Sequence, residues 1–265
     1  MTGHPVQVWW ARPEDARAGL RALLDPVERA RYESTVDPAG RGRFLVGCAL
    51  SRLVLGELLG LPPADVPLRR VCPRCGGPHG KVHLALPPDG PWGTLPAYDF
   101  SVTHSGALVG VAVCRDGEVG LDVEESHGGM DVDSAARVAL SDSELAALYA
   151  RPAAERQSAF LRTWTRKEAV LKALGVGLGV PLRELEVSGP ERPPAVLAWP
   201  VQLAARPSMS MADLVVDGAH PAALAVAITG VGAGEAGGVG AGEGEARGVR
   251  VALHDGSEML AAYDR

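Results

Sequence analysis

Residues 120–126 read GLDVEES, a stretch whose first half has the character of a short buried strand. Side chains alternate across a strand, so Asp122 and Glu124 share one face. Like charges this close repel and resist burial unless something positive joins them. The stretch closes a run of three short strand patterns, YDFSVT from Tyr98, ALVGVAVC from Ala107 and EVGLDVE from Glu118, joined by HSG and RDGE. Asp116-Gly117 is a two-residue hairpin signal. It predicts that Arg115 pairs with Glu118, which sets Glu124 opposite Val109 and Asp122 opposite Val111. One sheet end would then gather His104, Ser105, Asp122 and Glu124, with Glu125 on the other face.

Upstream, VQVWWA reads as a strand, PEDARAGLRALL as a helix, DPVERARYEST as a second helix from Asp25, and GRGRFLVGCALSRLVLGELLG as a longer one with a leucine-rich arc. Downstream come a polar loop, a helix SDSELAALYA opened by Ser141, and a long helix from about Glu155 to Leu174 ended by the Gly175–Gly179 segment. RELEVS, AVLAWP, AALAVAIT and a final RVALHD read as strands. Residues 231–248, VGAGEAGGVGAGEGEARG, are low-complexity and read as a flexible segment.

The long helix breaks its own pattern. In FLRTWTRKEAVLKALG, Phe160, Trp164, Val170, Leu171 and Leu174 share a broad apolar face, and Glu168 lands inside or at the edge of it. Glu168 stands one turn from both Trp164 and Lys172. An exposed Glu–Lys helix pair contributes only about 0.3 kcal/mol, but an acid interrupting an apolar arc is a local inconsistency of the kind found at functional sites. The chain has three lysines, Lys81, Lys167 and Lys172, against 23 arginines; two of the three lie in this helix, where a compact ammonium serves differently from a guanidinium. A third carboxylate meeting Asp122 and Glu124 would resolve the repulsion with a metal. Oxygen-only donors suit a hard cation, and few carboxylates plus substrate phosphates is the magnesium pattern.

The chain as a whole bounds the answer. At 265 residues and 46% hydrophobic it can bury a sizeable core. Its 26 basic and 32 acidic residues leave a net charge of −6, against a general nucleic-acid binder. No run approaches the ~18 apolar residues of a membrane span, and the first residues lack a secretory pattern, so the expected location is the cytoplasm. Four cysteines are too few and scattered for a disulfide framework. CPRCG is half of a zinc knuckle and His79 could add a ligand, but no second pair is evident; structural zinc at Cys72 and Cys75 is not the expectation.

Taken together, RFLVGCALSR, HGKV, SVTHSG, GLDVE and WTRKEAVLK resemble, in this chain order, the motif blocks of the 4′-phosphopantetheinyl transferases of the larger, Sfp-like type. They span roughly residues 25–180. Ser101, Thr103 and Val82 depart from the usual residues of those blocks. The resemblance implies an α+β (α/β) fold of two similar subdomains packed as a pseudo-dimer within a monomer: 1–118 and 119–230, then the Gly-rich 231–248 and a C-terminal strand and tail, 249–265. It implies transfer of the phosphopantetheine arm from coenzyme A to a serine of an apo acyl or peptidyl carrier protein, with release of adenosine 3′,5′-bisphosphate. Asp122, Glu124 and Glu168 would hold Mg2+ (or Mn2+); Glu168 would act as base and Lys172 would assist the leaving group. Arg31, Arg43, Lys81, His104, Ser105, Asp122, Lys167 and Lys172 would contact coenzyme A. Another Mg2+-dependent phosphotransfer or pyrophosphatase enzyme, or a carrier-binding module without catalysis, remain as alternatives from the residues alone.

Overall fold

The computed structural model describes residues 4–71, 76–77, 80–86, 97–127, 129–203, 206–228 and 248–263. The Cys72, Cys75 and His79 reading and nearly all of the Gly-rich segment lie outside these residues. In chain order the elements are β1 (His4–Ala11), α1 (Pro26–Ser34), α2 (Pro38–Leu59), β2 (Leu68–Arg70), β3 (Val82–Leu84), β4 (Tyr98–Ser105), β5 (Leu108–Arg115) and β6 (Glu118–Val123). There follow α3 (Val132–Ala139), α4 (Asp142–Tyr149), α5 (Ala153–Leu174), β7 (Glu186–Val187), β8 (Val196–Ala198), β9 (Ser208–Val216), β10 (His220–Ile228), β11 (Val249–Asp255) and α6 (Gly256–Tyr263). The fold is a mixed α+β one.

Two long helices each cover a sheet. In the first unit α2 lies on a four-stranded sheet ordered β11-β1-β5-β4; Leu45, Val46, Ala49, Leu50, Leu53 and Val54 are buried in the core they share with Val109, Val111 and Phe100. Asp37 caps α2 by accepting from the amides of Ala39 and Gly40, satisfying donors a helix start leaves open. In the second unit α5 lies on the sheet β6-β10-β9, burying Phe160, Leu161, Val170 and Leu171. The C-terminal β11 returns to the first unit, pairing parallel with β1 (His4 with Val249), and α6 packs on α2.

The chain bends at Asp116-Gly117, with Asp116 in the left-handed region (φ 60), but the hairpin and register expected there do not form. β5 is already flanked by β1 and β4, so it has no edge to offer. β6 swings away and pairs with β10, placing Asp122 beside Ala223 rather than Val111, while the Glu124 amide donates to the Pro221 carbonyl rather than facing Val109. Its other edge runs along β4, where side-chain oxygens replace backbone acceptors. The amides of Val119, Leu121, Val123 and Glu125 donate to Asp99 Oδ2, Ser101 Oγ, Thr103 Oγ1 and Ser105 Oγ, at 2.7, 3.0, 3.2 and 3.1 Å. This seam joins the two units and carries the acids to the HSG turn by a different route from the one the hairpin suggests.

Local structure departs from the sequence reading, or adds to it, in several stretches. Residues 13–23 form two 3₁₀ turns, Pro13–Asp15 and Ala18–Leu23, because the chain is extended at Ala16 and Arg17 between them. The polar loop contains α3, whose N-cap Asp131 accepts from the Ser134 amide. Residues 208–216, SMSMADLVV, form β9 although their composition is poor in β-branched residues; pairing along the whole of β10 decides it.

Gly120 has a steric reason. A methyl built on it would overlap the Ala169 carbonyl and the Ala173 amide of α5, so glycine allows helix and strand to touch. Gly120→Ala is expected to lower stability by about 3 kcal/mol and to depress activity as α5 is displaced from β6. Urea denaturation alongside an activity assay measures both.

Candidate active site

A cavity of about 600 Å³ lies where the two units meet. One wall comes from the first unit, with Arg31, Arg43, Phe44, Arg70, Phe100 and His104. The other comes from α5 and the turn after it, with Glu168, Leu171, Lys172, Gly175 and Val176.

The acids stand at this junction. Asp122 is buried; its Oδ1 accepts from Lys172 Nζ at 2.7 Å and from Thr103 Oγ1 at 3.3 Å, while its Oδ2 has no partner among the described residues. Glu124 accepts from Ser105 Oγ at 2.8 Å and from Trp164 Nε1 at 3.0 Å. Glu168 Oε1 is buried and also without a partner among the described residues. Burial pushes the Asp122 carboxyl up to about 6; Lys172 opposes the shift and Glu168 adds to it. Burial likewise raises Glu124, with Asp122 adding, and raises Glu168, with Lys172 opposing and Glu124 adding. The three carboxylates therefore feel one another, although they come from β6, the residue after it, and a helix some forty residues later.

Two orphaned buried carboxylate oxygens are costly unless a cation or donor reaches them. All-oxygen donors suit magnesium, which takes few protein ligands and completes its shell with water and phosphate. Among the described residues no set of three or more His, Cys, Asp or Glu side chains is arranged as a metal cage; the ammonium of Lys172 holds one Asp122 oxygen instead. The residues fit a cation that arrives together with other ligands.

Several expected contacts are redirected. Lys167 is not in the cleft: fully buried on the far side of α5, its ammonium pairs with Glu144 and donates to the Ala139 and Leu182 carbonyls at 2.8 and 3.0 Å. Its donors are all used, so no phosphate contact is available to it. Lys167→Met is expected to lower stability by about 3–5 kcal/mol by stranding the buried Glu144, with substrate KM unchanged in the folded fraction. Lys81 borders the cavity, but its ammonium bonds Asp99 Oδ2, the Val119 carbonyl (3.1 Å) and the Ala173 carbonyl (3.2 Å). It therefore staples β4, β6 and the end of α5 rather than presenting a free charge. Ser105 spends its proton on Glu124 and accepts from the Glu125 amide, so it holds an acid instead of a phosphate.

Arg43 donates to the Gly106 carbonyl at 3.1 Å and lines the cavity with Arg31, whose guanidinium stacks on Phe44 at 5.2 Å. Partial burial, with Lys172 and Arg43 near, holds the His104 imidazole below its ordinary pKa. Arg70, at the end of β2, is the cationic wall residue that sequence reasoning missed. Burial lowers its pKa, and Arg31 adds to that shift. No spacing rule marks it; only the fold turns it inward.

Residues 118–225, which carry Asp122, Glu124, Glu168 and Lys172, match the sequence profile of the 4′-phosphopantetheinyl transferase superfamily. Over 219 residues the chain is 31% identical to the 4′-phosphopantetheinyl transferase HetI of Nostoc sp., covering 82% of this chain and 84% of that protein. The chain belongs to the 4′-phosphopantetheinyl transferase superfamily. The transferase is also 29% identical over 195 residues to a phosphopantetheinyl transferase of Thraustochytrium sp., covering 67% of this chain and 64% of that one. It is 28% identical over 145 residues to a 4′-phosphopantetheinyl transferase of Bacillus subtilis, covering 55% and 57%. The transferase is therefore an enzyme that moves a 4′-phosphopantetheinyl group, and a carrier-binding module without catalysis is set aside.

Proposed function

We propose that the transferase moves the 4′-phosphopantetheine arm of coenzyme A onto a serine of an apo acyl or peptidyl carrier protein, releasing adenosine 3′,5′-bisphosphate, with Mg2+ on the diphosphate. What supports this is the ammonium of Lys172 holding Asp122 at 2.7 Å, one helical turn from Glu168 at the wall of a cationic cleft, with buried oxygens of Asp122 and Glu168 unpartnered among the described residues. Such a site suits a polyphosphate neutralised jointly by a cation and fixed ammonium and guanidinium groups.

In the reaction the serine oxygen bonds to the phosphorus bearing pantetheine, and the bond from that phosphorus to the bridging oxygen breaks. Asp122, Glu124 and Glu168 are the residues that would hold Mg2+, which supplies charge neutralisation on the diphosphate oxygens. Glu168, its carboxylate raised by burial, takes the serine proton directly or through water. Lys172 stabilises the departing phosphate of the nucleotide once its ammonium leaves Asp122. Arg31, Arg43, Arg70 and His104 line the space for the rest of the nucleotide's anionic groups, where several fixed cations favour a highly charged ligand.

The same reading takes the protein as a cytoplasmic monomer in which the two units are internal counterparts, each a 22-residue helix on a sheet. Both walls of the cleft then come from one chain. Incubation with coenzyme A, Mg2+ and an apo-carrier, followed by intact mass, tests the reaction: the carrier is expected to gain about 340 Da, the mass of the arm a phosphoryl transfer would deliver. Consumption of coenzyme A with no mass gain would favour a pyrophosphatase-like activity instead.

A further inference from the structure

Glu124 is held differently from the other two acids. Among the described residues Asp122 Oδ2 and Glu168 Oε1 lack partners, whereas each Glu124 oxygen is held by one donor, and the two donors come from opposite sides of the junction. Ser105 lies at the end of β4 in the first unit; Trp164 lies on α5 in the second, one turn before Glu168. Neither donor has an alternative use in this geometry. The indole nitrogen carries a single N–H and no acceptor site, and it points at Glu124 Oε1 while its ring leans on Phe160 at 5.9 Å and 40°. The Ser105 hydroxyl accepts the Glu125 amide at 3.1 Å, which turns its one proton toward Glu124 Oε2.

We propose that Trp164 and Ser105 are positioning residues that clamp the Glu124 carboxylate, fixing which of its lone pairs face the cation. The inference rests on the cation reading above. It gives a role to the tryptophan that opens WTRKEAVLK: the helix that delivers Glu168 also delivers the donor that sets the strand acid, so both ligands move as one body. Partners that orient a ligating carboxylate typically shift metal affinity by ~10–100-fold when removed.

The alternative is that Trp164 serves packing and Ser105 serves the seam between the units. Trp164→Phe separates the two, because it keeps an aromatic ring against Phe160 and removes the N–H donor, the lost ring volume being read by the thermal melt. Mn2+ binding to the full chain with coenzyme A present, read by EPR titration beside a thermal melt, is the test. Trp164→Phe and Ser105→Ala are each expected to weaken Mn2+ binding about tenfold, and Ser105→Thr, which keeps a hydroxyl, to retain it. Unaltered Mn2+ affinity in both Trp164→Phe and Ser105→Ala would overturn the clamp, whether or not their melting temperatures fall, and would leave the cation reading standing. A wild-type protein that takes up no Mn2+ with coenzyme A would overturn the cation reading itself, and the clamp with it.

Discussion

Glu168→Gln is expected to lower the transfer rate by about a thousandfold or more while leaving the fold intact. Amide and carboxylate have nearly the same shape, so packing in the α5 face is kept. What is lost is the basicity that removes the serine proton, a contribution of ~10²–10⁴ in rate, together with one ligand charge. Stability should hold or rise, because the buried Glu168 carboxylate has an oxygen without a partner and a pKa raised mainly by burial. Single-turnover transfer measured beside thermal melting separates these effects. A rate within tenfold of wild type would remove Glu168 from the chemistry.

Asp122→Asn should disable transfer to a similar degree by a different route, the loss of a ligand, so excess Mg2+ should restore part of the rate. Its stability signature is distinctive. With its pKa near 6 in the fold against 3.8 for the free group, Asp122 binds its proton more tightly when folded. Its ionisation therefore weakens the fold: the penalty is absent below the unfolded value, grows between about pH 4 and 6, and is complete above that. About two pKa units correspond to roughly 3 kcal/mol as an upper bound. In the metal-free protein the Asp122→Asn variant should lack this component, so the stability difference between variant and wild type should grow as pH rises from 4.5 to 7. In wild type, transfer should fall as pH drops through about 6, and added Mg2+ should move that fall to lower pH because cation and proton compete for the same carboxylate. Parallel pH–stability curves for the two proteins would contradict this.

The two acidic elements were legible in the sequence because each violates its own local pattern. Asp122 and Glu124 load one strand face with like charge, and Glu168 interrupts an apolar helical arc. The alternation of β4 was equally visible, yet its use was not. Asp99, Ser101, Thr103 and Ser105 occupy alternate positions of that strand, and only the structure shows those oxygens accepting from β6 amides. The hairpin inference failed because a turn signal fixes what is adjacent in sequence, whereas β5 had both edges taken by strands remote in sequence. The lysines divide on the same ground. Lys172 faces the acids, one turn beyond Glu168, as helical spacing requires; Lys167, one position before Glu168, is turned into the core by that same spacing. Arg70 and Lys81 belong to loosely patterned chain between α2 and β4, where function depends on which way a short ribbon faces.

In the proposed function the acids of one strand end and one helix would hold a single divalent cation on the diphosphate of coenzyme A. Pulsed EPR of the Mn2+ form with coenzyme A bound tests it most directly. Hyperfine coupling to the diphosphate phosphorus nuclei in wild type, lost in Asp122→Asn, is the predicted result. Mn2+ bound without phosphorus coupling, or coupling unaltered in Asp122→Asn, would contradict it.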